Sequence, residues 1–185
     1  MFLLWNLALA WIPYLLSLTA EVLDRRGNGR WWNLGPLGGL FLLFLPNAPY
    51  ILTDFLHLRV RPGLPFLADA ATLSTFALAG WILGLLSVGL WSKRVGSRLG
   101  EFAARVFVVG CALSCGYGVY LGRFRRWNSW DLLCSPGRVI RDVVTSATSP
   151  MAQPRMVAFT LLFSALVLFS YSVLERFRLG RRPLS

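Results

Sequence analysis

The sequence predicts an all-α integral membrane helical bundle with about five transmembrane helices, and three observations carry that prediction. The chain of 185 residues is 56% hydrophobic with a mean hydropathy of +0.57, too apolar for an ordinary soluble domain. A hydrocarbon core of roughly 30 Å needs about 20 apolar residues in helical form. The runs 66–91, 102–121 and 156–174 each meet that requirement, the last without a single charge. Finally, nearly all of the 19 basic residues, 18 of them Arg, fall in the connecting segments. Basic loops beside apolar helices are what membrane insertion selects. The net charge of +11 therefore needs no nucleic-acid partner, and no nucleic-acid-binding motif accompanies it.

The first helix is expected at about 2–19, bent by Pro13. It is not read as a signal peptide: no basic residue precedes the apolar region, that region is longer than a typical signal core, and Leu18-Thr19-Ala20 is a poor cleavage site. A polar link follows over 21–30, and Trp31-Trp32 suit the water–lipid boundary. The second apolar run starts at Leu34 and is interrupted by Pro46-Asn47-Ala48-Pro49. Up to Leu45 it reaches only about 18 Å, whereas continued to Leu58 it reaches about 37 Å, so 34–58 is read as one proline-broken helix.

Helix three is expected at about 66–91 and helix four at about 102–122, joined by a basic turn with Lys93, Arg94 and Arg98. Gly80 and Gly84 form a GxxxG on helix three, and Gly110, Ser114, Gly118 and Gly122 place a small residue at every fourth position of helix four. Such grooves permit close helix–helix approach in lipid and are read as packing signals. In the long connection 123–154, Ser135-Pro136 opens a short helix with Val139, Ile140, Val143 and Val144 on one side and Arg138, Arg141 and Asp142 on the other. That pattern describes a helix lying on the membrane surface. Helix five, about 156–174, leads into a basic tail, and residues 1–185 are read as a single transmembrane helical domain. Cys111 and Cys115 share a helix face and Cys134 stands alone in a loop, so the three cysteines form no disulfide framework.

Counting Lys and Arg by side gives eleven for the 20–32 link, the 92–105 turn and the tail, against eight for the opposite side. The excess assigns the first set to the cytoplasm of a cell inner membrane, with the 123–154 loop outside and the C-terminus inside.

Two stretches carry candidate chemistry. Asn47, Tyr50, Asp54 and His57 are spaced by three, four and three residues, one stripe of a helix with Thr53 beside it. An acid embedded in a membrane helix is a functional hypothesis by default, and Pro46 and Pro49 free carbonyls that need partners. The plainer role for Asp54 and His57 is a position at the interface, where ionisable groups cost little; His57 is the only histidine. The second stretch closes helix four with Tyr117, Tyr120, Arg123, Arg125, Arg126, Trp127, Asn128, Ser129, Trp130 and Asp131. Arg123 can pair bidentately with carboxylate or phosphate, its plainer role being an interfacial anchor. Helices two and four run in the same direction, so both clusters end at one face, where Asp69 joins them. Arg123 is expected within ion-pair reach of Asp54, with Tyr50, His57 and Asn128 around the pair and Asp69 or Asp131 as the alternative acid.

Phe44-Leu45-Pro46-Asn47-Ala48-Pro49-Tyr50-Ile51-Leu52-Thr53-Asp54, with His57 following, and Gly118-Val119-Tyr120-Leu121-Gly122-Arg123-Phe124, with Trp127-Asn128-Ser129-Trp130-Asp131, resemble the two hallmark segments of a bacterial membrane family, domain of unknown function 1361. The resemblance covers most of the chain, implies a multi-pass membrane protein and brings no activity with it. It also implies a further hydrophobic helix in relatives, upstream of the segment that resembles 2–18.

The sequence contains no HExxH, no GxSxG and no P-loop. Asp54 and His57 at i, i+3, with Asp69 or Asp131 as a third ligand, make a weak metal set, so no metal is assigned and the cofactor is left open. Three function classes remain. One is an enzyme or binding site for an anionic lipid or lipid-linked group: Asp54 and His57 would move protons, while Asn47, Tyr50, Thr53, Tyr120, Arg123, Asn128 and Asp131 would hold the substrate. Another is a structural or assembly subunit docking a second membrane protein. The third is a small transporter built on the broken helix, for which no internal repeat speaks.

Overall fold

The computed structural model describes residues 2–58, 66–127, 129, 131–148 and 153–179, and among these every regular element is helical. Five helices are long and apolar enough to cross a bilayer, over Leu3–Arg25, Trp31–Phe55, Phe66–Leu99, Glu101–Arg125 and Pro154–Phe177. The chain is therefore an all-α membrane bundle.

Helix α1 (Phe2–Arg25) runs six residues beyond its apolar window. Glu21 and Arg25 continue it, paired at 3.1 Å across one turn. It stops where Gly27 takes φ +76°, a conformation open to glycine. Helix α4 (Phe66–Leu99) likewise outruns 66–91. At 1.5 Å per residue its 34 residues measure about 51 Å, well past a hydrocarbon core. Gly100, at φ +89°, is the whole connection to α5 (Glu101–Tyr120), so the expected basic turn is almost entirely helical.

The second span is not one kinked α-helix. Helix α2 (Trp31–Phe44) ends just before Pro46, and α3 (Asn47–Tyr50) is a single turn. A 3-10 segment, Ile51–His57, completes the crossing. Proline has no N–H and its ring opposes the preceding turn, so the chain tightens: Ala48 N donates to Leu45 O at 3.1 Å, an i to i−3 bond. The GxxxG of α4 faces this break. A Cβ on Gly80 would sit 2.8 Å from the Ala48 carbonyl oxygen, and one on Gly84 would sit 2.9 Å from the Ala48 Cβ. Two small residues thus seat the irregular turn against α4, burying Ala48 and Ile51 with Ala10, Leu73 and Ala77.

Helix α8 (Pro154–Leu179) packs along α5. The close approach there falls at Gly116, where a Cβ would collide with the Thr160 carbonyl, and Ser164 Oγ donates to Ala112 O at 3.0 Å. Gly116 lies off the predicted small-residue stripe; Gly118 and Gly122 of that stripe face the break instead, and Gly110 faces open space. The main core joins α2, α4, α5 and α8 through Phe41, Leu45, Val88, Trp91, Cys111 and Val167.

Past Tyr120 the helix widens into a π turn, Leu121–Arg125, closed by Arg126 at φ +59°. Helix α6 (Asp131–Cys134) is one turn. The amphipathic helix α7 (Pro136–Thr148) starts directly after Ser135, as its sequence predicts. Val139 is buried, whereas Ile140 and Val144 are exposed.

Candidate functional site

The site grows out of the break in the second span. An α-helix would satisfy the carbonyl of Phe44 with the N–H of Ala48, but that N–H has moved to Leu45. The side chain of Asn47 replaces it, its Nδ2 donating to Phe44 O at 2.9 Å. The same Nδ2 donates to Ser129 Oγ at 2.8 Å, and Ser129 Oγ in turn donates to Leu43 O at 3.1 Å. The segment after α5 is thereby bonded to the break through a side chain 82 residues away in sequence. Thr53 Oγ1 performs the same local service for Tyr50 O, at 2.7 Å.

Sterics bring the remaining pieces in. A Cβ on Gly118 would lie 2.6 Å from Pro46 Cβ, and one on Gly122 would lie 3.0 Å from Tyr50 Cε2. Only glycine lets the proline ring and the tyrosine ring this close to α5. Between these contacts and α1 lies a cavity of about 240 Å³, lined by Asn6, Asn47, Tyr50, Gly122, Trp127 and Ser129 among others. Its walls combine amides, a phenol, a hydroxyl and an indole. Asn6 is the residue that connects this cavity to the buried acid: its Nδ2 donates to Asp54 Oδ2 at 3.2 Å, and Asp54 is 5% exposed.

The predicted residues separate into groups. Asn47 and Tyr50 line the cavity, together with Ser129 and Trp127 from the second stretch. Asp54 stands behind the wall on Asn6. Thr53 is buried with its hydroxyl committed to backbone and does not line the cavity. Tyr120 points into an aromatic group, its ring 5.1 Å from Phe124 and 6.4 Å from Phe159, on the α8 side. Arg123 is half-buried on the π turn and Asp131 half-buried at the start of α6; both make interactions of their own. The ion pairs among Glu21, Asp24, Arg25, Arg94 and Arg98 lie at the opposite end of the bundle. Asp69 is exposed on the first turn of α4. Asn128 and the side chain of His57 lie outside the described residues. Among the described residues no three of His, Cys, Asp and Glu gather as metal ligands.

Trp127 is the hinge of the arrangement. Its Nε1 donates to Asp142 Oδ2 at 2.9 Å, and the Arg138 guanidinium stands 5.7 Å over its ring, so α7 is fastened to the cavity wall. Arg125, Arg126 and Arg138 are exposed; Arg126 directly precedes Trp127 in the chain and Arg138 covers its ring. A π turn closed by a non-glycine residue at positive φ is an uncommon local geometry, and both features collect at functional sites. Asn6 and Ser129 are the functional residues that periodicity did not single out; Ser129 lay inside the quoted Trp127–Asp131 string, while nothing local marks Asn6.

The family model described as protein of unknown function (DUF1361) matches residues 5–170, which takes in every residue of this site. No curated protein and no solved structure matches the chain.

Proposed function

Because the chain belongs to the DUF1361 family, whose description carries no activity, we propose from the site's own geometry that the cavity binds the anionic head group of a membrane lipid or lipid-linked molecule. One observation carries the reading: both hallmark segments line a single half-polar cavity, and the Arg138 guanidinium stands over the ring of Trp127 in its wall. Asn47, Tyr50 and Ser129 offer directional hydrogen bonds, and Arg138 on the Trp127 ring supplies positive charge next to the wall. Asp54 and His57 are the groups that would move a proton if the bound molecule is also processed. An assembly role has its own support in α8, whose apolar window is 17% buried against 50% for α4.

The test is native mass spectrometry of the protein in detergent with equimolar phosphatidylglycerol and phosphatidylcholine. Retention of the anionic lipid at least about fivefold over the zwitterionic one is expected from charge-assisted contacts. Equal retention would remove the reading, and a stoichiometric co-purifying membrane protein would favour assembly instead. On the charge count this face is expected outside the cell. Exposed Cys134 should then react with a membrane-impermeant thiol reagent in intact cells, while buried Cys111 and Cys115 stay unlabelled. Labelling that needs permeabilised cells inverts the orientation.

A further inference from the structure

Resting on that reading, we infer that the ligand enters sideways from the bilayer with an acyl chain in a separate subsite, a groove between α2 and α5 under α7. The groove measures about 440 Å³. Gly39, Leu42 and Leu43 form one wall, Ser114 and Leu121 the other, and Val139 and Val143 of α7 close one end. Both walls belong to membrane-spanning segments, 31–55 and 101–125, so the groove lies at a depth that bilayer components reach. Its rim is open: Leu42 is 38% and Ile140 53% exposed.

Continuity with the polar cavity selects a lipid chain over a transmembrane helix of another protein. From Gly39 to Pro46, and from Ser114 to Leu121, the walls extend about 10 Å along their helices. The groove also joins the polar cavity directly, since Pro46, Gly118, Trp127 and Ser129 line both. A molecule with an apolar chain and a polar head fits the combined space in one orientation, with the chain along α2 and α5 and the head against Asn47 and Ser129. Lipid tails are as apolar as leucine, so the groove adds little driving force over the bilayer. It provides access and register, and the polar end provides preference.

The experiment reconstitutes the full chain in vesicles of phosphatidylcholine with 10 mol% (roughly) of a phosphatidylglycerol carrying a photoactivatable diazirine in its acyl chain. Adducts are expected on peptides covering 39–46 and 114–121. Adducts confined to the outward residues of α8, such as Leu162 and Phe169, would overturn the groove. Ser114→Phe fills the groove without touching the polar cavity, so a head group can reach that cavity only with its chain displaced, and phosphatidylglycerol retention should fall about tenfold (about 1.4 kcal/mol). Leu42→Trp, at an exposed rim position, does the same if the first variant fails to fold. Soluble glycerol phosphate in large excess should not displace the lipid; displacement would mean the head group binds alone and the chain subsite is wrong. Failure of the two readings is separable. Wild-type protein without preference for the anionic head sinks the cavity reading, whereas variants that retain the lipid, or adducts elsewhere, sink only the groove.

Discussion

The two ends of the bundle carry the same residue types and use them in opposite ways. Where α1 meets the end of α4, the Arg94 side chain is 4% exposed and held by Glu21 at 3.2 Å and by Asp24, with the Trp91 ring 5.0 Å beneath its guanidinium. Arg98 reaches the same Asp24 and donates to Gly29 O at 2.8 Å. Acids and bases there pair with each other. At the other end Asp54 is as deeply buried and accepts from the amide of Asn6, which lines a cavity where the Arg138 guanidinium stands over the ring of Trp127 in the wall. Charges that neutralise one another fix two helices. Polar groups arranged around space keep capacity for a ligand.

The largest expected effect tests the first half of that contrast. Arg94→Ala removes two charge-assisted hydrogen bonds, to Asp24 and to Glu21, at about 1.5 kcal/mol each, so about 3 kcal/mol is expected even though Arg98 and Arg25 remain as partners. Arg98→Ala, whose side chain is 43% exposed, should cost under about 1 kcal/mol because solvent and salt screen it. Thermal unfolding of both variants in detergent decides the point. Similar losses would mean that burial of Arg94 contributes nothing special and that the ion-pair end is ordinary surface.

Gly118→Leu comes next. The added side chain must displace the Pro46 ring, which is backbone-tethered and cannot swing away, so overpacking of about 1–3 kcal/mol is expected together with loss of the cavity. Gly110→Leu on the same helix, with nothing near its Cβ position, is the control and should be close to neutral in unfolding temperature. Equal behaviour of the two would show that α5 does not depend on contact with the break.

How much of this could be read beforehand depends on how local the cause is. Pro46 and Pro49 announced the break, and the need for carbonyl partners followed from proline chemistry alone. Which groups answer that need did not follow: Asn47 is local, but Ser129 depends on where the chain after α5 folds back. The helix ends of α1 and α4 were missed because an apolar window measures hydrocarbon thickness, not helix length, and residues such as Glu21 and Ser97 continue a helix through water. The Arg94 cluster was counted as loop charge for the same reason. The stripe on α5 correctly signalled close packing, but its direction depends on tertiary register, and Gly116 rather than the stripe receives α8. Asn6 was invisible. A single amide in an apolar helix has no local signature, and its meaning appears only when α1 sets it beside Asp54.

Asn6→Ala sharpens the comparison at the cavity end. It removes the described donor to Asp54 Oδ2, and losing one hydrogen bond to a buried carboxylate costs about 1.5 kcal/mol. That is about half the Arg94→Ala effect, because one hydrogen bond is removed and not two. Lipid retention should fall as well, because Asn6 also lines the cavity. Stability and retention that are both unchanged would detach Asp54 from the site.

Arg126→Gly carries the smallest expected change in stability and separates two roles of one residue. Arg126 sits at φ +59°, where an L side chain costs about 1–2 kcal/mol relative to right-handed geometry and glycine costs nothing. Against this, glycine loses more backbone entropy on folding, by about 0.5–1 kcal/mol. The two terms nearly cancel, so unfolding should shift by less than about 1 kcal/mol. Arg126→Val, which keeps neither the charge nor a tolerable left-handed conformation, should be clearly destabilising at the turn. If Arg126 serves only to close the π turn, the glycine variant retains anionic lipid like the wild type. If its charge belongs to the rim that draws an anionic head group, retention falls while stability holds, and the fall shrinks as salt is raised, because exposed charges are screened within about 10 Å at 0.1 M salt. The second pattern is the expected one. Arg98→Ala, which removes a charge at the Arg94 end for under about 1 kcal/mol, should leave retention unchanged at every salt concentration.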